Sequence, residues 1–210
     1  MYENLVVVDH PLVADYITKI RDKETNTNDF RKYVDKLSLM LAYECGKELL
    51  VRKKAIETPL TKCTGKYICQ DIILVPVLRA GLGLVNGFTN IFPDAVISHM
   101  GIYRNEENLL PVKYYFRFPR ENTPKNSIVF ILDPMLATGG SAECTISEIK
   151  KLGMKKIVLA SLVSAPEGVK ELRKLHKDVK VYTCALDNKL NEFGYIVPGL
   201  GDAGDRLFGT

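Results

Sequence analysis

A glycine-rich loop in the middle of the chain has the residue types that bind phosphate. It follows an apolar run at 128–132, and residues 138–141 read Thr-Gly-Gly-Ser. Two successive glycines allow positive φ and leave backbone N–H groups uncovered, and the flanking hydroxyls add donors. Apolar residues from 142 to 152 recur at helical spacing, so the loop leads into the positively polarised start of a helix. The pattern predicts a strand, a phosphate-binding loop and a helix.

An acidic residue, Asp133, stands between the apolar run and this loop. A carboxylate beside a phosphate would repel it unless the carboxylate contacts a neutral hydroxyl or a metal-bound water. A ribose that carries a 5′-phosphate satisfies both halves of the motif. The alternative is that Asp133 and Thr138 only cap a turn that the glycines close.

Two arginines follow other predicted strands. The nearly continuous apolar run 71–77 is typical of a strand covered on both faces, and Arg79 comes directly before a glycine-rich turn. That turn misses a dinucleotide-binding fingerprint by one residue. A second predicted strand, 96–102, ends in a charged loop that contains Arg104. We expect both arginines to reach the same sheet edge and bind an anion there, although Arg79 could instead be a surface residue on a turn.

The C-terminal segment is a further glycine-rich loop. Gly199, Gly201 and Gly204 satisfy G-x-G-x-x-G, but only six residues follow Gly204, too few for a nucleotide-binding helix. The same segment contains two aspartates after a short apolar stretch. It therefore offers bare backbone donors and acceptors to a flat ligand.

Helices that support these loops are indicated by apolar spacing. Residues 30–49 predict a long amphipathic helix with Asn28 as its N-cap, and residues 10–11 open an earlier helix. The helix after the phosphate loop ends at Gly153. Further on, strand 156–163, helix 166–175 and strand 179–185 alternate, which indicates a parallel sheet with right-handed crossovers. We expect His176 on the solvated surface.

Two segments are predicted at the margins of the sheet. Residues 56–69 contain Pro59 and are interpreted as an edge strand or a connection. Residues 111–119 alternate and predict a half-exposed strand or hairpin arm. Its larger apolar face carries Val112, Tyr114, Phe116 and Phe118. That face suits a subunit interface, an active-site cover or ordinary core packing.

Length and composition indicate one α/β domain over residues 1–210. Hydrophobic residues make up 46% and charged residues 26%, as in soluble globular proteins. Lys plus Arg is 29 against 25 for Asp plus Glu, and such a small excess demands neither nucleic acid nor a membrane as partner. The five cysteines are scattered and lack a C-x-x-C pair, which favours free thiols in a reducing compartment. No signal peptide or membrane span is evident, so we expect a cytoplasmic protein.

Four separated motifs resemble the uracil phosphoribosyltransferase family. They are 75–81, the Arg104 loop, 133–141 and 195–206, and the similarity covers nearly the whole chain. The resemblance implies an α/β fold of the type I phosphoribosyltransferase kind: a central, mainly parallel sheet flanked by helices, with a projecting β-arm and a small hood built from terminal segments. It also implies transfer of the phosphoribosyl group of 5-phosphoribosyl 1-diphosphate (PRPP) to uracil, giving UMP and diphosphate with Mg²⁺.

The resemblance assigns site residues on the matching positions. The candidate catalytic residues are Asp133, Arg79, Arg104 and Asp202. PRPP would bind Arg79, Arg104, Asp133, Pro134, Met135, Leu136, Ala137, Thr138, Gly139, Gly140, Ser141 and Asp202. Uracil would bind Ile196, Gly201, Asp202 and Ala203. Mg²⁺ would have no direct protein ligand and would be carried by PRPP and waters.

The second position of the phosphate loop, the role of Asp202, regulation and the choice of base are left undecided by the residues. The wider class has two adjacent acids in the loop, whereas Pro134 occupies the second position here. Asp202 either helps remove the N1 proton of uracil or acts through water on the diphosphate. The resemblance also suggests a GTP effector and a homodimer or higher homo-oligomer. Alternatives on the same fold are an RNA-binding regulator that senses PRPP or UMP and a phosphoribosyltransferase for another base.

Overall fold

The computed structural model describes residues 3–104, 111–119 and 126–210. Their elements, in chain order, are β1 (Leu5–Val7), α1 (Pro11–Arg21), α2 (Thr27–Cys45), β2 (Val51–Glu57), β3 (Lys62–Ile68), β4 (Ile72–Leu78), α3 (Leu82–Ile91), β5 (Val96–Ile97), β6 (Met100–Arg104), β7 (Pro111–Phe116), β8 (Ile128–Leu132), β9 (Met135–Leu136), α4 (Gly140–Lys151), β10 (Lys156–Ser164), α5 (Pro166–Leu175), β11 (Lys180–Leu186), β12 (Lys189–Leu190), β13 (Ile196–Val197) and α6 (Ala203–Phe208). Within these ranges, no helix combines the length and apolar character that a membrane crossing requires.

The main sheet is parallel except at one edge. Its strands follow the order β1-β11-β10-β8-β4-β6-β7, with β5 beside β4 and β9 beside β10. Only β7, among the described strands of this sheet, runs antiparallel to its neighbour β6. The alternation of strands and helices in the sequence predicted this arrangement, because parallel neighbours need a crossover connection. The prediction of a mainly parallel α/β sheet is confirmed.

The centre of the sheet is buried on both faces, as the continuous apolar runs predicted. All five residues of β8 are buried. Phe130 packs into a cluster that includes residues of α1, α2 and α3, while Ile131 packs into a second cluster with residues of α4 and α5. Alternate side chains point to opposite faces, so a strand between two helical layers must be apolar throughout.

Helix boundaries follow local capping chemistry. His10 caps α1, since its Nδ1 accepts a hydrogen bond from Leu12 N at 3.1 Å. The predicted N-cap Asn28 is wrong by two residues: Asn26 caps α2 and accepts from Asp29 N at 3.0 Å. Asparagine suits an N-cap at either position. Asn26 directly precedes the first helical residue, whereas Asn28 already lies within the first turn.

Two local predictions need correction. The predicted strand 96–102 divides into β5 and β6, which pair with different parts of β4. The predicted surface position of His176 is wrong, because its side chain packs at the end of α5 with only 8% of the residue exposed. Its Nδ1 lies 3.3 Å from Lys150 Nζ, and burial lowers the pKa of His176.

A hairpin of β2 and β3 forms a separate two-stranded sheet, and we call it the arm. Nearly all of its residues are exposed, including Ile56 and Tyr67 on the strands and Leu60 at the turn. The segment 56–69 is thus half of a projecting hairpin rather than an edge strand of the main sheet. The projecting arm is therefore this hairpin, and its predicted placement at 111–119 is wrong, because β7 pairs with β6 at the edge of the main sheet.

The segment 111–119 lies instead at the edge of the main sheet as β7. A register shift opposite Gly101 and Ile102 leaves Tyr114 as an extra residue in the ladder. Tyr114 is therefore 58% exposed, whereas Phe118 is 8% exposed. The predicted single apolar face is wrong at Tyr114, because a bulge interrupts the period of two that the alternation assumed.

Candidate functional site

The glycine-rich loop connects β8 and β9 to the start of α4. Gly139 is the N-cap of α4 with φ of 90°, a left-handed conformation that favours glycine. A cavity of about 150 Å³ lies above this helix start. Its lining consists of Pro111, Asp133 and residues 135–142. The predicted order of strand, glycine loop and helix is confirmed, and phosphate binding in this cavity stays a prediction.

The loop rests on the first turn of α5. A Cβ at Gly168 would lie 2.4 Å from Ala137 O, and a Cβ at Gly139 would lie 3.3 Å from Gly168 O. Only a residue without a side chain allows the helix backbone to approach the loop this closely. Gly168 is a supporting residue that sequence analysis did not identify, since a single glycine in a helix has many explanations.

Asp133 lies at the carboxyl end of β8, where its partly buried side chain lines the cavity. Burial raises the pKa of Asp133 to about 7, against a smaller opposing effect of the Met135 N–H, 3.5 Å from Oδ1. An unliganded carboxylate here is therefore protonated in an appreciable fraction of molecules near neutral pH. Hydroxyl donors or a cation at this position would stabilise its charged form.

Arg79 follows β4 immediately, and the Leu78–Arg79 peptide bond is cis. Its side chain is 56% exposed, with Nη2 at 2.9 Å from Asp205 Oδ1 and Nη1 at 3.2 Å from Thr210 Oγ1. The turn after it packs tightly against β8, because a Cβ at Gly81 would lie 2.3 Å from Leu132 O. This contact places the Arg79 turn beside the residue that precedes Asp133.

Arg104 is the last residue of β6, and the loop 105–110 after it lies outside the described residues, as does the side chain of Arg104. Its backbone pairs with Pro111 in the β6–β7 ladder. Pro111 in turn lines the cavity of the glycine loop. The backbone of Arg104 therefore lies beside a residue that lines the cavity. The predicted convergence of Arg79 and Arg104 stays a prediction.

The C-terminal loop runs from β13 into α6. Gly199 and Gly201 have φ of 62° and 80°. Asp202 caps α6 by accepting a hydrogen bond from Asp205 N at 2.9 Å. A Cβ at Gly204 would lie 3.1 Å from Asp202 Oδ1 and 3.5 Å from Arg79 Nη2. The structure thus brings the loop to Arg79.

Helix α6 has six residues, which agrees with the rejection of a dinucleotide fingerprint in this segment. Ile196 is buried in β13, which pairs with β12. The predicted uracil-binding positions, Ile196 and 201–203, therefore lie on the two sides of a short turn at 198–200.

The described sheet, the glycine loop at the end of a central strand and the terminal loop above it form a type I phosphoribosyltransferase fold. An adenine phosphoribosyltransferase from Trypanosoma brucei, solved with AMP, pyrophosphate and ribose-5-phosphate, has the same fold, with a TM-score of 0.58 over 95% of this chain and 88% of that chain at 12% identity.

Sequence comparison identifies the family within that class. The family model for uracil phosphoribosyltransferase matches residues 7–210. A uracil phosphoribosyltransferase of Bacillus cereus is 51% identical over 207 residues, which cover 98% of each chain. A solved structure from Aquifex aeolicus has a TM-score of 0.90 at 39% identity over 97% of each chain. The chain belongs to the uracil phosphoribosyltransferase family.

Proposed function

We propose that the protein transfers the 5-phosphoribosyl group of PRPP to N1 of uracil, giving UMP and diphosphate in pyrimidine salvage. One observation carries this proposal. The Arg79 turn packs against the end of β8 beside Asp133, and the same Arg79 lies against Gly204 of the terminal loop. Three loops are therefore adjacent. We assign the first to the phosphate, the second to the departing diphosphate and the third to the base. We also propose that one domain, residues 1–210, carries the whole reaction.

The glycine loop binds the 5′-phosphate in this proposal. Backbone N–H groups at the start of α4 and the partial positive charge of the helix favour a dianion, and Gly139 has no side chain to occupy those donors. Thr138 and Ser141 line the same cavity and add hydroxyl donors. Asp133 accepts hydrogen bonds from the ribose hydroxyls, and its charged form then stabilises the positive charge that develops at C1 as the bond to diphosphate lengthens.

Arg79 binds the departing diphosphate. Its side chain is about half exposed, and its guanidinium pairs with the carboxylate of Asp205. Exposed ion pairs contribute only about 0–1 kcal/mol, so a diphosphate can take the place of Asp205. Arg104 is proposed to hold the other side of the diphosphate. Removal of one such donor reduces turnover by ~10²- to 10³-fold in comparable sites.

The terminal loop recognises uracil. Uracil differs from cytosine by a carbonyl at C4 and a proton on N3, so a selective pocket offers a donor to the first and an acceptor to the second. Backbone groups of Ile196 and of the turn at Gly201, Asp202 and Ala203 supply them. A pocket whose polar groups would be left unpaired rejects the wrong base by ~10⁴-fold. Asp202 either assists removal of the N1 proton or acts through water on the diphosphate.

Mg²⁺ fits the proposed site as an ion that arrives with PRPP. The carboxylates of Asp133 and Asp202 provide the hard oxygen atoms that Mg²⁺ prefers. We propose that they act on its waters and on the ribose hydroxyls, with no direct protein ligand. The ion would supply charge neutralisation of the diphosphate.

Assembly and regulation are also part of this proposal. The exposed apolar residues of the arm support a homodimer or higher oligomer, because an isolated two-stranded hairpin is marginally stable in water. The five free cysteines support a cytoplasmic location. GTP as an effector, and the absence of nucleic acid and membrane among the partners, rest on the family resemblance and on composition.

The experiment that tests this function is a spectrophotometric assay with uracil, PRPP and Mg²⁺. We expect UMP to form at a rate that depends on all three. Orotate, adenine and xanthine, offered in competition, should not be consumed. Absence of UMP under these conditions would refute the proposal, and preferential use of another base would redirect it to a different phosphoribosyltransferase.

A further inference from the structure

An ion pair between Arg21 and Asp187 lies behind the terminal loop. Arg21 is the last residue of α1, and Asp187 directly follows β11. The guanidinium binds both carboxylate oxygens, with Nη1 at 2.8 Å from Oδ2 and Nη2 at 2.5 Å from Oδ1. Only 3% of the Asp187 side chain is exposed, against 22% for Arg21. This bidentate pair is largely shielded from water, where charge-assisted hydrogen bonds are strong and directional.

Both members of the pair also bind the backbone of Gly199. Arg21 Nη1 donates to Gly199 O at 2.8 Å, and Gly199 N donates to Asp187 Oδ2 at 2.7 Å. The two polar backbone groups of this glycine are thus fixed by one ion pair. Its φ of 62° folds the chain back so closely that an added Cβ would lie 2.2 Å from Ile196 O.

A second arginine holds the next residue. Arg206 Nη1 donates to Leu200 O at 3.0 Å, and its Nη2 donates to Asp22 O at 2.6 Å. Its guanidinium also lies over the Phe30 ring, with Cζ 4.4 Å from the centroid. Two successive carbonyls, those of Gly199 and Leu200, are therefore bound by arginines, and both anchors lead to the C-terminal end of α1.

Gly199 and Leu200, the two residues held by these arginines, lie between the two parts of the proposed base pocket. Ile196 lies on one side of them and the turn at 201–203 on the other. Because the spacing of these two parts decides whether uracil can meet both, a fixed 199–200 segment sets the geometry of recognition. Neither Arg21 nor Asp187 is among the residues that line the cavity of the glycine loop.

We propose that Arg21 and Asp187 are positioning residues for uracil, which set its affinity and the rejection of cytosine while PRPP binding is independent of them. The inference rests on the proposed function, since it requires the terminal loop to bind uracil. A purely structural role would lower the amount of active enzyme without changing the KM for one substrate alone.

The test measures kcat and both KM values for Arg21→Lys. Lysine keeps the charge but cannot bind Asp187 bidentately and Gly199 O at once. We expect the KM for uracil to rise ~10-fold or more and the KM for PRPP to stay within about twofold, since small displacements of a binding group have large effects. The ratio of uracil to cytosine use should fall. An equal rise of both KM values, or an unchanged KM for uracil, overturns the proposal.

Arg31→Lys is the matched control. Arg31 Nε also donates to a C-terminal carbonyl, Leu207 O. That carbonyl belongs to α6 and not to the segment 199–200. We expect it to keep wild-type KM values. If it raised the KM for uracil as Arg21→Lys does, general loosening of the C-terminus would explain both effects, and the proposal would be wrong.

The double variant Arg21→Met/Asp187→Leu covers the case in which single variants fold poorly. Replacing a buried ion pair by apolar residues is often neutral for stability, so this variant should fold, as a thermal unfolding curve would show. Wild-type KM for uracil in the folded double variant overturns the proposal. These outcomes differ from a failure of the proposed function itself, in which the wild-type protein would form no UMP.

Discussion

Arg79 and Asp205 are 126 positions apart in the chain, and their side chains form an ion pair with Nη2 2.9 Å from Oδ1. Thr210 closes the group, since its Oγ1 accepts from Arg79 Nη1 at 3.2 Å and donates to Asp205 Oδ1 at 3.1 Å. The cation proposed to bind diphosphate is therefore already held by the terminal helix that follows the proposed uracil turn. If PRPP binds Arg79 as proposed, we expect its binding to be coupled to the position of α6 through this pair.

Arg79→Ala should weaken PRPP binding and slow its conversion. We expect kcat/KM for PRPP to fall ~10²- to 10³-fold, because the departing negative charge loses one donor. Steady-state kinetics with saturating uracil measure this change. Arg173→Ala is the control, because Arg173 also makes an exposed ion pair, with Glu3 at 3.4 Å. An unaltered KM for PRPP in Arg79→Ala would count against the assigned role.

Asp133→Asn should reduce kcat while the fold is kept. The amide has the size of the carboxyl group but supplies no negative charge to the developing cation at C1, so a loss of ~10²-fold or more is expected. Circular dichroism and thermal unfolding check the fold. Unchanged kinetics in a folded variant would remove Asp133 from the mechanism.

The pH dependence of stability reports the burial of Asp133. Its pKa in the folded protein is raised from 3.8 to about 7, so the folded state binds a proton more tightly than the unfolded state. The stability that this proton contributes is complete below the ordinary pKa and is lost as pH rises through about 7. Without ligands, the free energy of unfolding of the wild type should fall across this window relative to Asp133→Asn. Parallel pH profiles of the two proteins would contradict the burial effect.

Gly139→Ala should impair binding of the 5′-phosphate. The added Cβ is disfavoured at φ of 90° and meets Gly168 O at 3.3 Å, so the loop must shift. Gly153→Ala is a close control, with φ of 87° and nothing within 4 Å of its Cβ. Both variants should lose about 1–2 kcal/mol of stability. Only Gly139→Ala should raise the KM for PRPP, by ~10-fold or more, and equal kinetics in the two variants would argue against the phosphate loop.

Substitutions on the arm should reduce the assembled mass. Leu60 is 95% exposed and Tyr67 is 45% exposed, and we expect Leu60→Glu/Tyr67→Glu to place charge where copies of the chain meet. Analytical ultracentrifugation compares this variant with wild type and with Leu175→Glu, at an exposed position on α5. A wild-type sedimentation coefficient for the arm variant would exclude the arm from assembly.

Local patterns predicted most of the elements. The apolar run of β8, the glycines after it and the spacing of α4 indicated a phosphate loop, because strand burial, positive φ and helix periodicity depend on neighbouring residues. The same locality explains the errors. The N-cap of α2 moved from Asn28 to Asn26 because two nearby asparagines offer the same local capping chemistry. Tyr114 left its apolar face at a bulge, which depends on pairing with β6 and not on the local alternation.

Residue types and their spacing were enough to indicate the set of loops and the chemistry available to each. Tertiary structure decided which loops meet, that β2 and β3 project as an arm, and that Asp187, an acid after a parallel strand like Asp133, turns to Arg21 rather than to the cavity. The contact between Arg21 and Gly199 spans 178 positions. Such contacts follow from strand order and helix packing over the whole chain, which no local spacing encodes.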